Sequence, residues 1–550
     1  MTDSSVQRSV LLLNSHSRDG VYVSPPVGLV KIANVLRKGG VACDILDYDI
    51  DDEAPFLEKA RRGAYAVIGM SVTHFQMEAD LDRVWKFRQT ALQSGRPSWI
   101  VGGGQEAAMN FRQWLDVALD LIFLGFAEKT FLEFCRRVLT QEAEGDARGP
   151  LSLLTADMDG VAFLRDDGGT VFRPAGALEP ALFKELFFDN VMELDVDYAK
   201  YWNRVRADFE SETVGAADFV FENVRLYTSS HCPRRCGFCS SQTFLPFSQD
   251  GASRILSVAP EQLIALLHRY KDRYGARMIQ FSDDDFGIGA GAGMQRVTEF
   301  CRLVIEEKAQ GTIPRDFRFS CQARVADFLV RGEVTEDALA AMARAGFLGL
   351  SLGVETFSQK LLKAPSINKV GVTVADCRKV LDAALRQGLV PQINIILGIP
   401  ESTPDDLVET MLETCACIEK GCDVALVTRV EVYQGSPMST NPDYTVRWRH
   451  WTNPHDGREV AIADYFEPRD PVIAHVCDHF KTAMAAELQA IKKERGWEGK
   501  TAHKRIVAFA NLIAVSRLLE RPDLVKRFQD AVEATCAAAA HKSLASAEGR

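Results

Sequence analysis

Short apolar runs alternate with amphipathic stretches through the first 145 residues. Five apolar runs are typical of strands in a parallel sheet: Val10–Leu13, Ala42–Leu46, Ala66–Ser71, Trp99–Gly102 and Leu121–Leu124. The stretches between them favour helices: Val27–Lys38, Glu53–Arg62, Met77–Gln93 and Glu128–Leu139. This βα order predicts a doubly wound, Rossmann-like α/β domain over residues 1–145, with ligands bound beyond the carboxyl ends of the strands.

The alternation resumes after residue 221. Strands are predicted at Val224–Thr228, Met278–Phe281, Phe317–Ser320, Leu348–Leu352, Ile393–Leu397 and Val424–Val430. Helices are predicted at Pro260–Tyr274, Met294–Glu307, Glu336–Ala345, Val374–Gln387 and Asp405–Glu419. Six βα units predict a partial TIM-like barrel over residues 221–440, with the loops at the carboxyl ends of its strands brought together.

A connector is predicted between these domains, over residues 146–220. The polar stretch 141–150 is typical of a linker, and residues 160–173, with Asp-Asp-Gly-Gly at their centre, are typical of a hairpin that bridges the domains. Residues 190–218 are rich in acids and aromatics and are expected to pack against the barrel rather than to cover an active site.

The last 110 residues, 441–550, begin with a stretch that lacks a regular pattern. It carries Tyr444, Trp448, His450, Trp451 and His455. The remainder is mainly helical by its pattern and ends in an alanine-rich tail.

Composition narrows the class of protein. The chain has 550 residues, 47% of them hydrophobic and 25% charged, which is ordinary for a globular protein of about three domains. No apolar run is long enough to span a membrane, and the polar N-terminus is not typical of a signal peptide. A net charge of −11 argues against general nucleic-acid binding, and thirteen cysteines without a paired framework indicate a reducing cytoplasm.

Three cysteines follow the first predicted barrel strand, in the segment Cys-Pro-Arg-Arg-Cys-Gly-Phe-Cys. Cys232, Cys236 and Cys239 have C-x3-C-x2-C spacing, with no second pair to complete a structural zinc site. His231 could supply a fourth zinc ligand, although it directly adjoins Cys232. Thiolates also bind iron–sulfur clusters, and three thiolates on a four-iron cluster leave one iron open.

This octapeptide resembles the C-x3-C-x-aromatic-C signature of radical S-adenosylmethionine (SAM) enzymes, with Phe238 in the aromatic position. The resemblance implies a [4Fe–4S] cluster held by Cys232, Cys236 and Cys239 at the catalytic centre. It also implies that the open iron chelates SAM, which electron transfer then cleaves to methionine and a 5′-deoxyadenosyl radical.

Later segments resemble the same family, in the family's order. Residues 281–286 resemble its Asp-Asp-x-Phe segment, so Asp283 and Asp285 are predicted to face SAM or substrate rather than a hard cation. Residues 351–356 resemble the segment whose glutamate contacts the SAM ribose, which implies that role for Glu355.

Two more segments extend the resemblance towards the end of the barrel. Residues 396–403 resemble a Gly-x-Pro-Gly-Glu-Thr loop that here lacks its second glycine, and they place Gly398 on the SAM side. Residues 434–438 resemble the family's closing Pro-Gly-Thr-Pro-Leu.

Small residues follow the predicted strands of the first domain. Together with Pro25-Pro26-Val27-Gly28-Leu29 they resemble the cobalamin-binding domain that precedes the barrel in one large subfamily. The resemblance implies a set of cobalamin contacts: Ser71, Thr73, Gly102, Gly103, Gly104, Gly125 and Glu128. The fifth loop departs from the family's Gly-Glu-Gly-Glu pattern, and no Asp-x-His-x-x-Gly is present. His16 and His74 are therefore not expected to bind cobalt, and a degenerate module without cofactor is the alternative.

Two further groups could bind metal but are expected to be structural. Cys415, Cys417 and Cys422 lie on or after one predicted helix at spacings that do not face one another. They are expected to be buried as small hydrophobic residues. His475 and His479 have i, i+4 spacing but lack a neighbouring acidic general base.

The resemblance implies a cobalamin-dependent radical SAM methyltransferase acting on an unactivated carbon of a small-molecule or peptide natural-product intermediate. One SAM would supply methyl to cobalamin, and a second would supply the radical. The alternatives are an oxidoreductase or cyclase that transfers no methyl group, a non-catalytic cobalamin- or SAM-binding regulator, and an enzyme that modifies transfer RNA. The implied partners are the substrate and an external one-electron donor such as flavodoxin or ferredoxin, with neither membrane nor nucleic acid.

Overall fold

The computed structural model describes residues 8–15, 23–72, 76–143, 149–211, 221–249, 251, 254–288, 292–495 and 500–548. Its first sheet has seven strands in the order β2-β1-β3-β4-β5-β6-β7. They are β1 (Ser9–Asn14), β2 (Cys43–Asp47), β3 (Tyr65–Ser71), β4 (Trp99–Gly103), β5 (Leu121–Phe123), β6 (Val161–Leu164) and β7 (Thr170–Arg173). The strands β1 to β5 are parallel, as the βα alternation predicts.

Helices cover both faces of this sheet, which confirms a doubly wound domain. They are α1 (Val27–Lys38), α2 (Ala54–Arg61), α3 (Met77–Gln93), α4 (Gln105–Met109), α5 (Phe111–Val117), α6 (Glu128–Ala143) and α7 (Leu151–Leu154). One core lies under α1 and α6 and the other under α2, α3 and α5. The chain reverses direction across the sheet between β1 and β3, where parallel sheets bind ligands at their carboxyl edge.

The hairpin predicted in the connector is β6–β7, and it belongs to the first sheet. Strand β6 pairs antiparallel with β5, and β7 pairs with β6. Residues 180–211 then cross to the second sheet through α8 (Pro180–Lys184), a π-helical turn (Glu185–Asp189), α9 (Asn190–Glu193) and α10 (Tyr198–Ser211). Tyr198, Tyr201 and Trp202 are buried in the core of the second sheet, so this segment packs against the barrel as expected.

The second sheet has six parallel strands in sequential order. They are β8 (Asn223–Leu226), β9 (Met278–Phe281), β10 (Arg318–Arg324), β13 (Phe347–Glu355), β14 (Val390–Gly398) and β15 (Asp423–Arg429). A small pair, β11 (Leu329–Val330) and β12 (Glu333–Val334), follows a 3₁₀ turn (Val325–Phe328) after β10. The predicted partial (βα)6 barrel is confirmed.

Helices surround the outer face of this barrel. They are α12 (Pro260–Tyr274), α13 (Ala292–Gln310), α14 (Glu336–Ala345), α15 (Gln359–Leu362), α16 (Val374–Arg386) and α17 (Pro404–Lys420). The preceding helix α11 (Ser241–Ser248) packs instead on α4 of the first domain. Local chemistry determines several of their ends. Thr403 caps α17 through a reciprocal hydrogen-bonded box with Asp406, and Gly275 ends α12 in the left-handed conformation.

Polar residues face the interior of the barrel at the amino ends of its strands. Along β8 and β9, buried residues alternate with partly exposed ones. A cavity of about 540 Å³ lies at this end, and its lining includes Asn223, Arg225, Gln280, Gln322 and Gln392. The second sheet therefore has an apolar outer face against its helices and a polar inner face.

The region after residue 440 is not irregular at its start, which corrects the expectation from the sequence. A 3₁₀ turn (Pro437–Thr440) leads into an antiparallel hairpin of β16 (Val446–Thr452) and β17 (Glu459–Phe466). Three helices follow: α18 (Pro471–Arg495), α19 (Lys500–Leu518) and α20 (Pro522–Glu548). The hairpin packs on the first sheet, because Val460 and Ile462 share a core with α3 and α5.

The helices α18 and α19 contact β14 and β15, so they extend the core of the barrel at that edge. Within the described ranges, none of the helices has the length and hydropathy needed to cross a membrane.

Candidate functional site: a cysteine loop facing a glycine-lined cavity

The three cysteines lie on the loop that follows β8, at the carboxyl edge of the barrel. Cys232 is buried, whereas Cys236 and Cys239 are partly exposed. The amide of Cys239 donates to the carbonyl of Cys236 at 3.2 Å, which closes a turn between them. The amide of Ser241 donates to Sγ of Cys239 at 3.4 Å, a contact of the kind that tunes cluster potentials.

Three thiols on one loop are the ligand set of a four-iron cluster with one open iron. Among the residues with described positions, no three His, Cys, Asp or Glu side chains converge as ligands of one metal ion do. A cubane cluster does not require such convergence, because each cysteine binds a different iron. Burial raises the pKa of the Cys232 thiol to about 12 and raises that of Cys239, so an iron would be needed to hold them as thiolates.

Gly237 is required by close packing beneath the cysteine loop. A Cβ at this position would lie 2.0 Å from the carbonyl oxygen of Pro365 and 2.6 Å from that of Ser366. The Gly237 carbonyl also accepts a hydrogen bond from the amide of Met438 at 3.1 Å. Phe238 packs against an apolar cluster that includes Met438. The loop therefore packs against two segments that are distant in the sequence, residues 365–366 and Met438.

Asp283 holds the chain between β8 and the first cysteine. Its buried carboxylate accepts hydrogen bonds from the amide and the hydroxyl of Thr228, both at 2.7 Å, and from the hydroxyl of Ser229. Desolvation by burial nevertheless raises its pKa. Asp283 thus positions the loop, and its predicted contact with SAM or substrate stays a prediction.

Arg234 anchors the cysteine loop from within. Its guanidinium contacts Asp285 at 3.1 Å and Asp327 at 2.6 Å, and both carboxylates are fully buried. Burial and the neighbouring Asp285 raise the pKa of Asp327 to about 7. Asp285, predicted on the SAM side, therefore has a structural partner. Roles for Arg234 and Asp327 were not predicted from the sequence, although an arginine among the cysteines with three aspartates downstream was an available signal.

Glu355 ends β13 in an unusual conformation. Its φ of +69° is in the left-handed region, and its register with β14 shifts at Gly353. Such conformations cost free energy and cluster at functional sites. The buried carboxylate contacts Nζ of Lys369 at 2.7 Å, and this ammonium also donates to the carbonyl of Gly353.

A role for Lys369 was not predicted from the sequence, since no periodicity or motif distinguishes this lysine. The predicted contact between Glu355 and the SAM ribose stays a prediction.

Gly398, also predicted on the SAM side, lies where two elements meet. A Cβ there would lie 2.5 Å from both Sγ of Cys477 and the carbonyl oxygen of Thr428. The glycine is thus required for α18 to approach β15, and its contact with SAM stays a prediction.

A second site lies at the carboxyl edge of the first sheet. A cavity of about 260 Å³ is lined by residues that include six of the predicted cobalamin contacts: Ser71, Gly102, Gly103, Gly104, Gly125 and Glu128. Thr73, the seventh, lies outside the described residues, as do His16 and His74. Ser71 is in register with Gly103 on the neighbouring strand.

Glycines keep this edge open. Gly104 has a φ of +100°, and Gly125 has a φ of +66°. A Cβ on Gly104 would lie 3.2 Å from the carbonyl oxygen of Val72. The absence of side chains allows the backbone to approach a large flat ligand, so the residues present fit a corrin cofactor.

Glu128 has a partner that the sequence did not indicate. It begins α6, and its buried carboxylate lies 3.4 Å from Nζ of Lys31 on α1. The same ammonium lies 4.3 Å from the ring centroid of Phe187 in the connector. The Glu128 contact with cobalamin stays a prediction.

The two sites are in direct contact. The side-chain amide of Gln105, next to the glycine turn, donates to the hydroxyl of Ser240, next to Cys239. The helices α4 and α11 pack together, and a Cβ on Gly435 would overlap Met109. The carboxyl edges of the two sheets therefore face each other.

The other two candidate metal groups are structural. Cys415, Cys417 and Cys422 are buried in the hydrophobic core, as expected. His475 and His479 lie on the exposed side of α18 with ring centroids 4.3 Å apart, and they are not part of a metal-binding group among the described residues.

The domains match two family models. A B12-binding domain matches residues 20–134, and the radical SAM superfamily matches residues 226–413. The chain belongs to the radical SAM enzymes that carry a cobalamin-binding domain before the barrel. Its cofactors are a [4Fe–4S] cluster, SAM and cobalamin.

Solved structures share this architecture. The chain is similar to the cobalamin-dependent SAM radical enzyme OxsB with aqua-cobalamin and SAM bound, at 15% identity and a TM-score of 0.64, covering 92% of this chain and 72% of that one. It is also similar to the radical SAM methyltransferase TsrM from Kitasatospora setae with tryptophan substrate and a SAM analogue bound, at 15% identity and a TM-score of 0.61, covering 95% and 99%. The comparison with curated proteins finds no match.

Proposed function

We propose that this enzyme is a C-methyltransferase that acts on a small-molecule or peptide natural-product intermediate. The observation that carries the proposal is the contact between its two sites, made through Gln105 and Ser240. Cobalamin supplies methyl-transfer chemistry, and SAM at the cluster supplies a hydrogen-abstracting radical. A substrate between the two carboxyl edges would be within reach of both.

The residues of the chain have the following proposed roles. Cys232, Cys236 and Cys239 hold the cluster, and Glu355 binds the SAM ribose. The glycine-lined edge of the first sheet holds cobalamin, without a histidine on the cobalt. The Rossmann-like domain thus orients one cofactor and the barrel orients the other, while packing between them excludes water.

A small-molecule substrate is supported by the similar methyltransferase TsrM, whose structure has tryptophan bound as substrate. A cytoplasmic location and an external one-electron donor are parts of this proposal, because the cluster needs reducing conditions and an electron that SAM does not supply.

Anaerobic reconstitution tests the proposal. The protein is incubated with iron, sulfide and hydroxocobalamin, desalted, and assayed for metals and for products formed from SAM with candidate substrates. We expect about four irons and one cobalt per chain, then both 5′-deoxyadenosine and S-adenosylhomocysteine. Formation of 5′-deoxyadenosine without S-adenosylhomocysteine would favour the oxidoreductase or cyclase. Four irons without cobalt would exclude the cobalamin-dependent methylase.

A further inference from the structure

The cysteine loop has two adjacent arginines with opposite environments. Arg234 is ion-paired with the buried Asp285 and Asp327. Arg235 is exposed, and its carbonyl accepts a hydrogen bond from the side-chain amide of Asn368. Among the residues of known position, Arg235 forms no ion pair. Its charge is thus available at the surface, next to a cluster ligand.

The segment 363–370 packs against the loop and has two distinct sides. Its inner side is buried: Ser366 donates to Glu401 at 2.6 Å, and Lys369 pairs with Glu355. Its outer side exposes Lys363, Pro365, Asn368 and Val370. The Val370 side chain is 72% exposed.

We define the outer patch as Arg235, Lys363, Pro365, Asn368 and Val370. Two neighbouring lysines differ in whether they are ion-paired. Lys360 pairs with Asp406 at 3.1 Å, whereas Lys363 forms no ion pair with any described residue. The patch therefore has two exposed apolar residues and two unpaired cations on a chain whose net charge is −11.

We propose that the outer patch is the docking surface for a small acidic redox protein that reduces the cluster. This inference rests on the proposed function, which requires one electron from outside. The net negative charge of the chain would repel an acidic partner, whereas Arg235 and Lys363 would attract it, which steers its association to this place.

Position makes this surface suitable for electron transfer. Arg235 directly precedes Cys236, and consecutive α-carbons are about 3.8 Å apart. A protein seated on Arg235 would therefore be close to a cluster ligand. The partner is oxidised by one electron and the cluster is reduced by one, with no bond made or broken between the two proteins.

The test uses the reconstituted enzyme with two reductants. SAM cleavage is measured with a purified reduced flavodoxin of acidic net charge and, separately, with dithionite. For the Arg235→Glu/Lys363→Glu variant we expect the flavodoxin-driven rate at limiting flavodoxin to fall about tenfold or more, in line with the loss of steering. The dithionite-driven rate and the iron content are expected to be unchanged.

A matched control carries the same change in charge elsewhere. Arg165→Glu/Lys481→Glu reverses one exposed arginine and one exposed lysine, on the β6–β7 turn and on α18. We expect it to retain the flavodoxin-driven rate. Higher salt should slow the flavodoxin-driven reaction of wild type and control, and should affect the patch variant much less.

Direct binding supplies a readout independent of turnover. Affinity for oxidised flavodoxin should fall in the patch variant and not in the control. If the double variant loses iron, Lys363→Glu alone, which lies outside the cysteine loop, is expected to lose part of the flavodoxin-driven rate. Equal flavodoxin dependence in wild type and Lys363→Glu would overturn the docking surface. Absence of SAM cleavage with dithionite in wild type would instead contradict the proposed function.

Discussion

The two parallel sheets of this enzyme differ in how their strands are buried. In the first sheet, β1 and β3 are buried along nearly their whole length, because helices cover both faces. In the second sheet, β8 and β9 alternate buried and partly exposed residues, because the inner face lines an open interior. The first sheet is packed on both faces, so its ligand site lies at its edge, whereas the second sheet encloses a polar cavity.

This difference explains how each site is built. At the first sheet, glycines such as Gly104 and Gly125 remove side chains so that backbone can contact a large cofactor. At the second sheet, thiols and buried ion pairs are added on loops, and distant residues such as Asp327 and Lys369 hold them. The first site depends on space, whereas the second depends on positioned charge. Substitutions at the first site should therefore act by filling space, whereas substitutions at the second site should act by removing a positioned charge or thiol.

Loss of a cluster ligand should have the largest effect and should separate the two sites. In Cys236→Ala we expect iron content near zero and no detectable SAM cleavage, because a three-thiolate site loses one ligand. Cobalamin content should be unchanged. Metal analysis and product assays check both. Cys415→Ala, which truncates a core cysteine, should retain its iron, and full iron in Cys236→Ala would contradict the assignment.

Gly237→Ala tests whether space also matters at the second site. The added Cβ would meet two backbone carbonyls that cannot rotate away. We expect a loss of stability of about 3 kcal/mol, as for overpacking, together with a lower iron content. Denaturant unfolding and iron analysis measure these effects. The control is Gly176→Ala, where nothing lies within 4 Å of the new Cβ. Equal stability of the two variants would show that the loop can move.

Lys369→Met tests the charge that supports Glu355. Removal of one partner leaves the other buried and unpaired, which costs about 3–5 kcal/mol. SAM affinity, measured by equilibrium dialysis, should fall as well. The double variant Lys369→Met/Glu355→Gln should regain part of the lost stability but not the affinity for SAM. Lys360→Met instead removes the exposed partner of Asp406, whose carboxylate keeps its hydrogen bonds from Ser358 and Thr403, and should cost about 1 kcal/mol or less.

Asp327→Asn tests the buried carboxylates through pH. Because burial and Asp285 raise the pKa of Asp327 from 3.8 to about 7, protonation of Asp327 stabilises the folded state. This stabilisation is complete below the unfolded pKa and is lost as the pH rises through about 7. Unfolding free energies measured from pH 4 to 8 should show this decline in wild type and a smaller decline in the variant. Asp166→Asn, at an exposed turn, should follow wild type.

Gln105→Ala should have the smallest effect. It removes one hydrogen bond between the domains, worth about 1 kcal/mol. Hydrogen exchange of the backbone amides in α4 and α11 should become about fivefold faster, while the secondary structure elsewhere is retained. Gln295→Ala, on the exposed side of α13, should leave this exchange unchanged. Equal exchange in both variants would mean that Gln105 does not couple the sites.

The order of elements and the cysteine site could be read from local pattern. The bounds of Val27–Lys38, Met77–Gln93 and Met278–Phe281 agree with the structure, because burial on one or both faces leaves a periodic trace in the chain. The cysteine spacing likewise predicted the cluster, since ligands of one loop must lie close in sequence. The hairpin β16–β17 was missed, because β16 contains no buried residue and β17 is buried against elements of the first domain that are distant in sequence.

The features that only the tertiary structure determines are contacts between residues that are far apart in the sequence. Asp327 lies 93 residues from Arg234, and Ser240 lies 135 residues from Gln105. No local pattern specifies which distant carboxylate meets an arginine, because any acidic residue satisfies the pattern and only the fold selects one. The sequence by itself determined the two βα domains and the thiols. Folding determined the ion pairs that hold the cysteine loop and the contact that brings the two cofactor sites together.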